Sequence, residues 1–423
     1  MTNRDLSIKT EPKNKKRILW KISPFSHCLF KTRLNLAKAV VLGENTLSLN
    51  AYDMFLLKSF EGVFWMVDDR ITEIAKVLLD YSTKTKSGDR VLIRADAPAK
   101  DLALEVYRQA LLRGAYPWIR SELPGTRYIF FKYASGAQLG FLPEHEMVEI
   151  KNTDVYIALV ALLNVKDLSS IDPARISARI KALKPFTDWR VEKTRWVAFV
   201  YPTEAYAQEA EMSLREFEDF VFNACLIDWK EVSNKLQLLK KQVDAIDTVE
   251  IKSPDTHLEF SIKGRSSVAA YGDKNMPDGE LFTSVVEDSV KGNIRFDVPA
   301  ALTTFGSVVE DITLTFEQGK VASAKAFKNQ LFLDKILATD EGAKRIGEFG
   351  IGFNYGITRP VKHTLFDEKI GGTVHLALGR GYKETLSQND SAVHWDLIKD
   401  LRKDGEVYFD GKLVMKNGKW LNI

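Results

Sequence analysis

Two hydrophobic periods divide this chain. From Asp68 to about Asp244 amphipathic stretches with a repeat of about 3.6 residues alternate with short apolar runs, and beyond about Thr248 the repeat becomes about 2. In "DDRITEIAKVLLDYSTKT", Ile71, Ile74, Ala75, Val77 and Leu78 fall on one helical face, and "KSGDRVLIRAD" then supplies a turn and a strand. "PAKDLALEVYRQALLRGAYPWIR" reads as a helix closed by Gly114 and followed by another strand, which completes a β-α-β unit of the kind that builds parallel sheets. "DVYIALVALLNV" and "RWVAFVYPT" add two strands around the mostly helical "SSIDPARISARIKALKPF". The stretch "SLREFEDFVFNACLIDWKEVSNKLQLLKKQVDAI" reads as long and helical, with an aromatic stripe expected to pack in the core. Past Thr248, "VEIKSPDTHLEFSIKG", "GNIRFDVPA", "DITLTFEQGKVASAKA" and "EVYFDGKLVMKNGKWLNI" alternate in the manner of half-buried strands. The expected architecture is an α/β domain over residues 66–245 and a mostly β (α+β) domain over residues 246–423. Residues 1–65 lack either rhythm and read as an N-terminal extension of unknown role, with Met66 marking a possible late start.

A chain of 423 residues is long enough for two such domains. Its only cysteines, Cys28 and Cys225, exclude a disulfide framework and make a sulfur-ligated zinc site a poor expectation, which fits a cytoplasmic protein. The basic opening at Lys13, Lys15, Lys16 and Arg17 precedes "ILWKISPFSHCLF" without a small-residue cleavage site, so secretion is not expected. With 60 basic against 57 acidic residues, neither a nucleic-acid nor a membrane partner is expected, and no apolar run approaches the length of a membrane span.

Chemistry concentrates in the second domain. Two of the six histidines lie in "GGTVHLALGRGYKETLSQNDSAVHWDLI". Strand alternation turns His375 away from Val374, Leu376 and Leu378, and puts His394 and Asp396 on a common face. Three glutamates have glycine nearby: Glu280 in "NMPDGELF", Glu348 in "IGEFG" and Glu368 in "LFDEKIGG". Taken singly, a strand histidine is usually a structural hydrogen-bonding residue and a Gly-Glu step a solvated turn. "GRGY" lacks the glycine spacing and the Lys-Ser/Thr of a phosphate loop. Together, four carboxylates and two neutral imidazoles would balance two divalent cations, and a nitrogen and oxygen set without sulfur suits Zn²⁺, Co²⁺, Mn²⁺ or, less well, Mg²⁺. Two such ions form a common hydrolytic centre.

The stretches "NMPDGELFTSVVEDSVKG", "ATDEGAKRIGEFGIGFN", "LFDEKIGGTVHLALGRGY" and "NDSAVHWDLI" resemble, in order, the motifs of the thermophilic-type metalloaminopeptidases, the aminopeptidase T/aminopeptidase S family. The similarity is strongest from Val249 to Gly418 and continues more loosely back to Met66. It implies metal ligands at Glu280, Glu348, Glu368, His375, His394 and Asp396, with Asp367 as an alternative to Glu368, and a catalytic tyrosine at Tyr382. It further implies a homodimer that cleaves the first bond of peptides with a free amino terminus by means of a metal-activated water. Glu348 would bridge the metals or accept the water's proton. The rival readings are a dinuclear amidase or deacylase, and a non-catalytic binding module that has kept the fold.

Overall fold

A computed structural model describes residues 68–302, 307–421 and 423. The expected extension over residues 1–65, with Cys28 and the start near Met66, lies outside the described residues. The short apolar runs of the first half become strands β1 (Arg90–Asp96), β2 (Tyr116–Glu122), β3 (Val155–Val160) and β4 (Arg195–Val200), all parallel in the order β2-β1-β3-β4. Val91 and Ile93 of β1 point to one face, where Leu102 and Val106 of helix Lys100–Leu112 and Phe217 of helix Leu214–Cys225 cover them. Leu92 points to the other, towards Ile150 and Phe186 of helices Glu144–Lys151 and Lys184–Lys193. Burial on both faces explains why these strands read as continuous apolar runs.

The stretch expected as one long helical segment is two helices, Leu214–Cys225 and Trp229–Val243. Asp228 makes the break: its carboxylate accepts the backbone N–H groups of Lys230 and Glu231 at 3.0 Å each and caps the second helix. The aromatic stripe is core, as read. Phe217 and Phe220 pack on Phe366, with ring centroids 6.3 and 5.9 Å away.

The later strands are β5 (Thr248–Ser253), β6 (Thr256–Ser261), β7 (Ser267–Ala270), β8 (Asn275–Met276), β9 (Glu280–Thr283), β10 (Lys291–Phe296), β11 (Ala300–Leu302), β12 (Ser307–Glu317), β13 (Lys320–Lys328), β14 (Ile346–Gly352), β15 (Thr373–Gly379), β16 (His394–Asp400), β17 (Glu406–Phe409), β18 (Lys412–Lys416) and β19 (Lys419–Trp420). Strand β8 joins the first sheet beside β4. A second sheet runs β11-β12-β10-β6-β5-β17-β18-β19, with β13 also on β12, and a third runs β16-β15-β14-β9-β7. Phe349, Ile351, Val374, Leu376, Leu378, Trp395 and Leu397 of the third sheet share a core with Phe260, Ile294 and Phe316 of the second. Phe260 meets Phe349 edge-on at 5.0 Å. The expected mixture of an α/β part and a β-rich part is the fold observed.

A polar tie holds β16 in place. The Lys399 ammonium, 3% exposed, donates to Asp255 and Asp297 at 2.9 Å each. Burial would raise the Asp255 carboxyl, but hydrogen bonds from Ser253, Lys399 and Arg295 hold it well below its ordinary value. A depressed carboxylate adds stability above its unfolded pKa of about 4 and loses it as pH falls towards the folded value. Asp255→Asn is therefore expected to destabilise the protein by about 1–3 kcal/mol at pH 7, discounted from a fully buried pair for solvent screening. The gap from wild type should narrow below about pH 4. Urea unfolding at pH 7 and pH 3.5 measures both.

Candidate metal centre

The face of the third sheet opposite its apolar core carries the candidate residues. Pairing puts Glu348 opposite Ala377 and Ala377 opposite Asp396, Gly350 opposite His375, Gly352 opposite Glu280, and Gly379 opposite His394. Directly paired residues point to the same face, so five of the six expected ligands share it. Glycine or alanine lies opposite each, which leaves room above the sheet. A Cβ on Gly350 would lie 1.9 Å from His375 Nε2, so the imidazole lies flat across the bare backbone.

Strict alternation would put Ile346 beside Glu348 on this polar face. A β-bulge between Ile346 and Glu348 prevents it. Ile346 pairs with Leu378 and joins the core, while Glu348 turns to the site. Gly347 occupies the bulge because a Cβ there would stand 2.1 Å from the Gly379 carbonyl oxygen.

The sixth candidate, Glu368, arrives from the turn before β15, anchored by Phe366 in the aromatic core. Asp367, the alternative, is committed elsewhere: its carboxylate accepts the N–H groups of Val361 at 2.8 Å and His363 at 3.1 Å. It shapes the turn that delivers Glu368.

His375 is fully buried, and Nδ1 lies 3.0 Å from the Glu368 carbonyl. A carbonyl only accepts, so Nδ1 carries a proton and Nε2 turns to the carboxylates, 3.3 Å from Glu348 and 3.6 Å from Glu280. His394 repeats the arrangement, Nδ1 donating to the Arg380 carbonyl at 2.6 Å and Nε2 lying 3.6 Å from Asp396. A backbone acceptor on the far nitrogen is how proteins orient a metal-binding imidazole. Ligand atoms of Glu348, His394 and Asp396 lie within 4.8 Å of one another. One Glu348 oxygen, Oε2, is buried with no hydrogen-bond partner among the described residues. A buried carboxylate oxygen without a donor costs free energy unless a cation meets it.

The electrostatics show how crowded the acids are. Burial pushes Glu280 up to about 8, against the pull of Lys369, and pushes Asp396 up to about 6. Burial works against a charged His375, but the hydrogen bond to Glu348 and the charges of Glu280 and Asp396 raise it to about 9. Glu368 lies below its ordinary value, because Lys369 and His375 outweigh its burial.

Lys369 escaped the sequence reading. Its side chain is wholly buried, 3.2 Å from Glu280 and in close contact with Glu368, and it adds a positive charge that the balance of four carboxylates omitted. A lysine next to "FDE" carries no periodic or spacing signal. Asn354 was also missed: it is buried, and its amide donates to the carbonyls of Ala224 at 3.0 Å and Asp278 at 2.8 Å, tying the turn before Glu280 to a helix end. Tyr382 stands at the rim, 42% exposed, its ring 5.1 Å from His394 and 5.5 Å from Phe282. Partial desolvation and the carboxylates of Glu348 and Asp396 hold its phenol above the usual value, so it stays protonated.

Comparisons with known proteins show what the chain is similar to. Aminopeptidase 2 of Geobacillus stearothermophilus is 27% identical over 84% of this chain and 98% of its own. The solved structure of wild-type AmpT from Thermus thermophilus superposes with a TM-score of 0.74 at 23% identity, over 84% of this chain and 99% of that one. The fold alone does not fix the chemistry, since 2,5-dihydroxypyridine dioxygenase from Pseudomonas putida KT2440 also matches, with a TM-score of 0.54 at 14% identity over 84% of this chain and 97% of that one. The family model for thermophilic metalloproteases (M29) matches residues 67–420, and this chain belongs to that family.

Proposed function

We propose that this chain is a metal-dependent aminopeptidase that hydrolyses the first peptide bond of substrates with a free amino terminus. The observation that carries the reading is the placement of three acids and two backbone-oriented imidazoles on one face of a sheet, with Glu368 delivered from the adjoining turn, within a chain of the M29 family. The donor set fits divalent cations: nitrogen and oxygen ligands, each imidazole presenting one nitrogen, and a buried Glu348 oxygen that lacks a partner. Glu280, Glu348, Glu368, His375, His394 and Asp396 would hold two such ions, with residues 246–423 as the catalytic domain and residues 66–245 as its α/β companion. When bound, such ions, Zn²⁺, Co²⁺, Mn²⁺ or Mg²⁺, would supply Lewis acidity and would lower the pKa of a water towards neutrality.

The chain's own groups do the rest. Glu348 bridges the ions or takes the water's proton. Tyr382, protonated and at the rim, donates to the oxyanion that develops at the peptide carbonyl. The acidic enclosure offers the substrate's α-ammonium a favourable seat, which gives a reason for attack at the amino terminus rather than within the chain. Cysteine usage and the motif resemblance support a cytoplasmic homodimer.

The test is release of amino acids from free and amino-blocked peptides, with chelator treatment and metal add-back. Free peptides alone should be cut, and only with metal. Cleavage of blocked amides at equal rates would favour the amidase or deacylase reading. Tyr382→Phe is expected to lower kcat about a hundredfold, as loss of an oxyanion donor does, with metal content unchanged by elemental analysis.

A further inference from the structure

The parallel sheet ends in a crevice of about 700 Å³, outside the carboxylate cluster and bordered by the carboxyl ends of β1, β2 and β3 at Asp96, Glu122 and Ala161. Strand β1 lies between β2 and β3, so the connections diverge there, and open parallel sheets bind their ligands at such a point. The volume is that of a ligand pocket. Three large aliphatic side chains project at its edge more than half exposed: Leu123 at 70%, Leu163 at 61% and Ile180 at 60%. Exposed apolar groups gathered on one concavity mark a binding surface.

The chemistry of the walls argues against a nucleotide. The loop after β1 is Ala97-Pro98-Ala99, without glycine and with one N–H missing, so no phosphate cradle forms. Charge is mixed as well. Arg127 and Arg179 line the crevice as cations without an ion pair among the described residues, and Glu146 and Asp167 as anions without one. An apolar lining with charges of both signs suits a polypeptide segment better than a polyanion.

The far wall of the crevice belongs to the chain segment that leads to Glu368. Val361, Lys362 and His363 line it, and the Asp367 carboxylate clamps the N–H groups of Val361 and His363 one residue before Glu368. We propose that this crevice receives the part of an oligopeptide beyond the cleaved bond, so that it sets a preference for longer peptides; this rests on the aminopeptidase reading. An extended peptide advances about 3.3 Å per residue, so a pentapeptide held at the carboxylate cluster reaches about 10 Å farther from it than a dipeptide does, and only the longer one is expected to gain from the crevice.

The experiment compares kcat/KM of the full-length, metal-loaded protein on a dipeptide and a pentapeptide with the same first residue. Leu163→Asp and Ile180→Trp change exposed side chains, so their melting temperatures should match wild type. Leu112→Asp, at a position 69% exposed outside the crevice, is the control. Both crevice variants are expected to lose about tenfold on the pentapeptide and to change less than twofold on the dipeptide, with the control unchanged on both. Equal losses on the two lengths, or no loss on either, would overturn the subsite and leave the aminopeptidase reading standing. If wild type releases amino acids from neither peptide, that reading itself falls and takes the subsite with it.

Discussion

Glu348→Gln is expected to lower kcat by about a thousandfold, within the span that loss of a positioned general base produces. Glu348 is 4% exposed, Oε1 meets His375 at 3.3 Å and Oε2 has no partner among the described residues. The amide keeps the size of the side chain and removes its charge and basicity. Measuring amino-acid release alongside metal content by elemental analysis separates two roles. Lost turnover with metal retained identifies the proton acceptor, and lost turnover with lost metal identifies chiefly a ligand. Activity within tenfold of wild type would remove Glu348 from the mechanism.

Gly350→Ala should be nearly as damaging, although it touches no reactive group. The added methyl would stand 1.9 Å from His375 Nε2 and 2.1 Å from Cε1, and the backbone beneath it cannot yield without breaking its pairing with both Phe282 and His375. The imidazole must therefore swing away from Glu348 and Glu280. A displacement of about 1 Å at a reacting centre costs about a hundredfold in rate, and overpacking a tight site costs about 1–3 kcal/mol of stability. The expected outcome is activity reduced at least about a hundredfold, with a folded protein by circular dichroism. A double-mutant cycle with His375→Ala completes the test. Removing the ring should relieve most of the stability loss caused by the methyl, because the two changes meet at one contact. Additive losses would mean that the clash lies elsewhere.

Much of the architecture was legible because side-chain period reports burial. The runs at Arg90–Asp96 and Val155–Val160 read as strands because both their faces are covered. The orientation of His375 away from Val374 and Leu376 followed from alternation, and the strand has it so. The break at Asp228 was not separated from the helical pattern on either side, since a single capping aspartate interrupts a helix without changing its apolar repeat. The bulge at Gly347 was equally hidden: one extra residue reverses facing, and "RIGEFGIGFN" alternates well enough without it.

Sequence by itself determined which side chains could carry chemistry here, because carboxylate and imidazole next to glycine are local facts. It also made sulfur ligands a poor expectation, with two cysteines in the whole chain. Tertiary structure decided which acids meet and in what state. Only the folded chain seats the Lys369 ammonium between Glu280 and Glu368, commits Asp367 to the backbone of its own turn, and fixes the tautomers of His375 and His394 through distant carbonyls. The reason is physical. Side-chain period depends on neighbours two to four residues away, whereas the charge of a buried group depends on every dipole and ion around it, and those are brought together by strands distant in the chain.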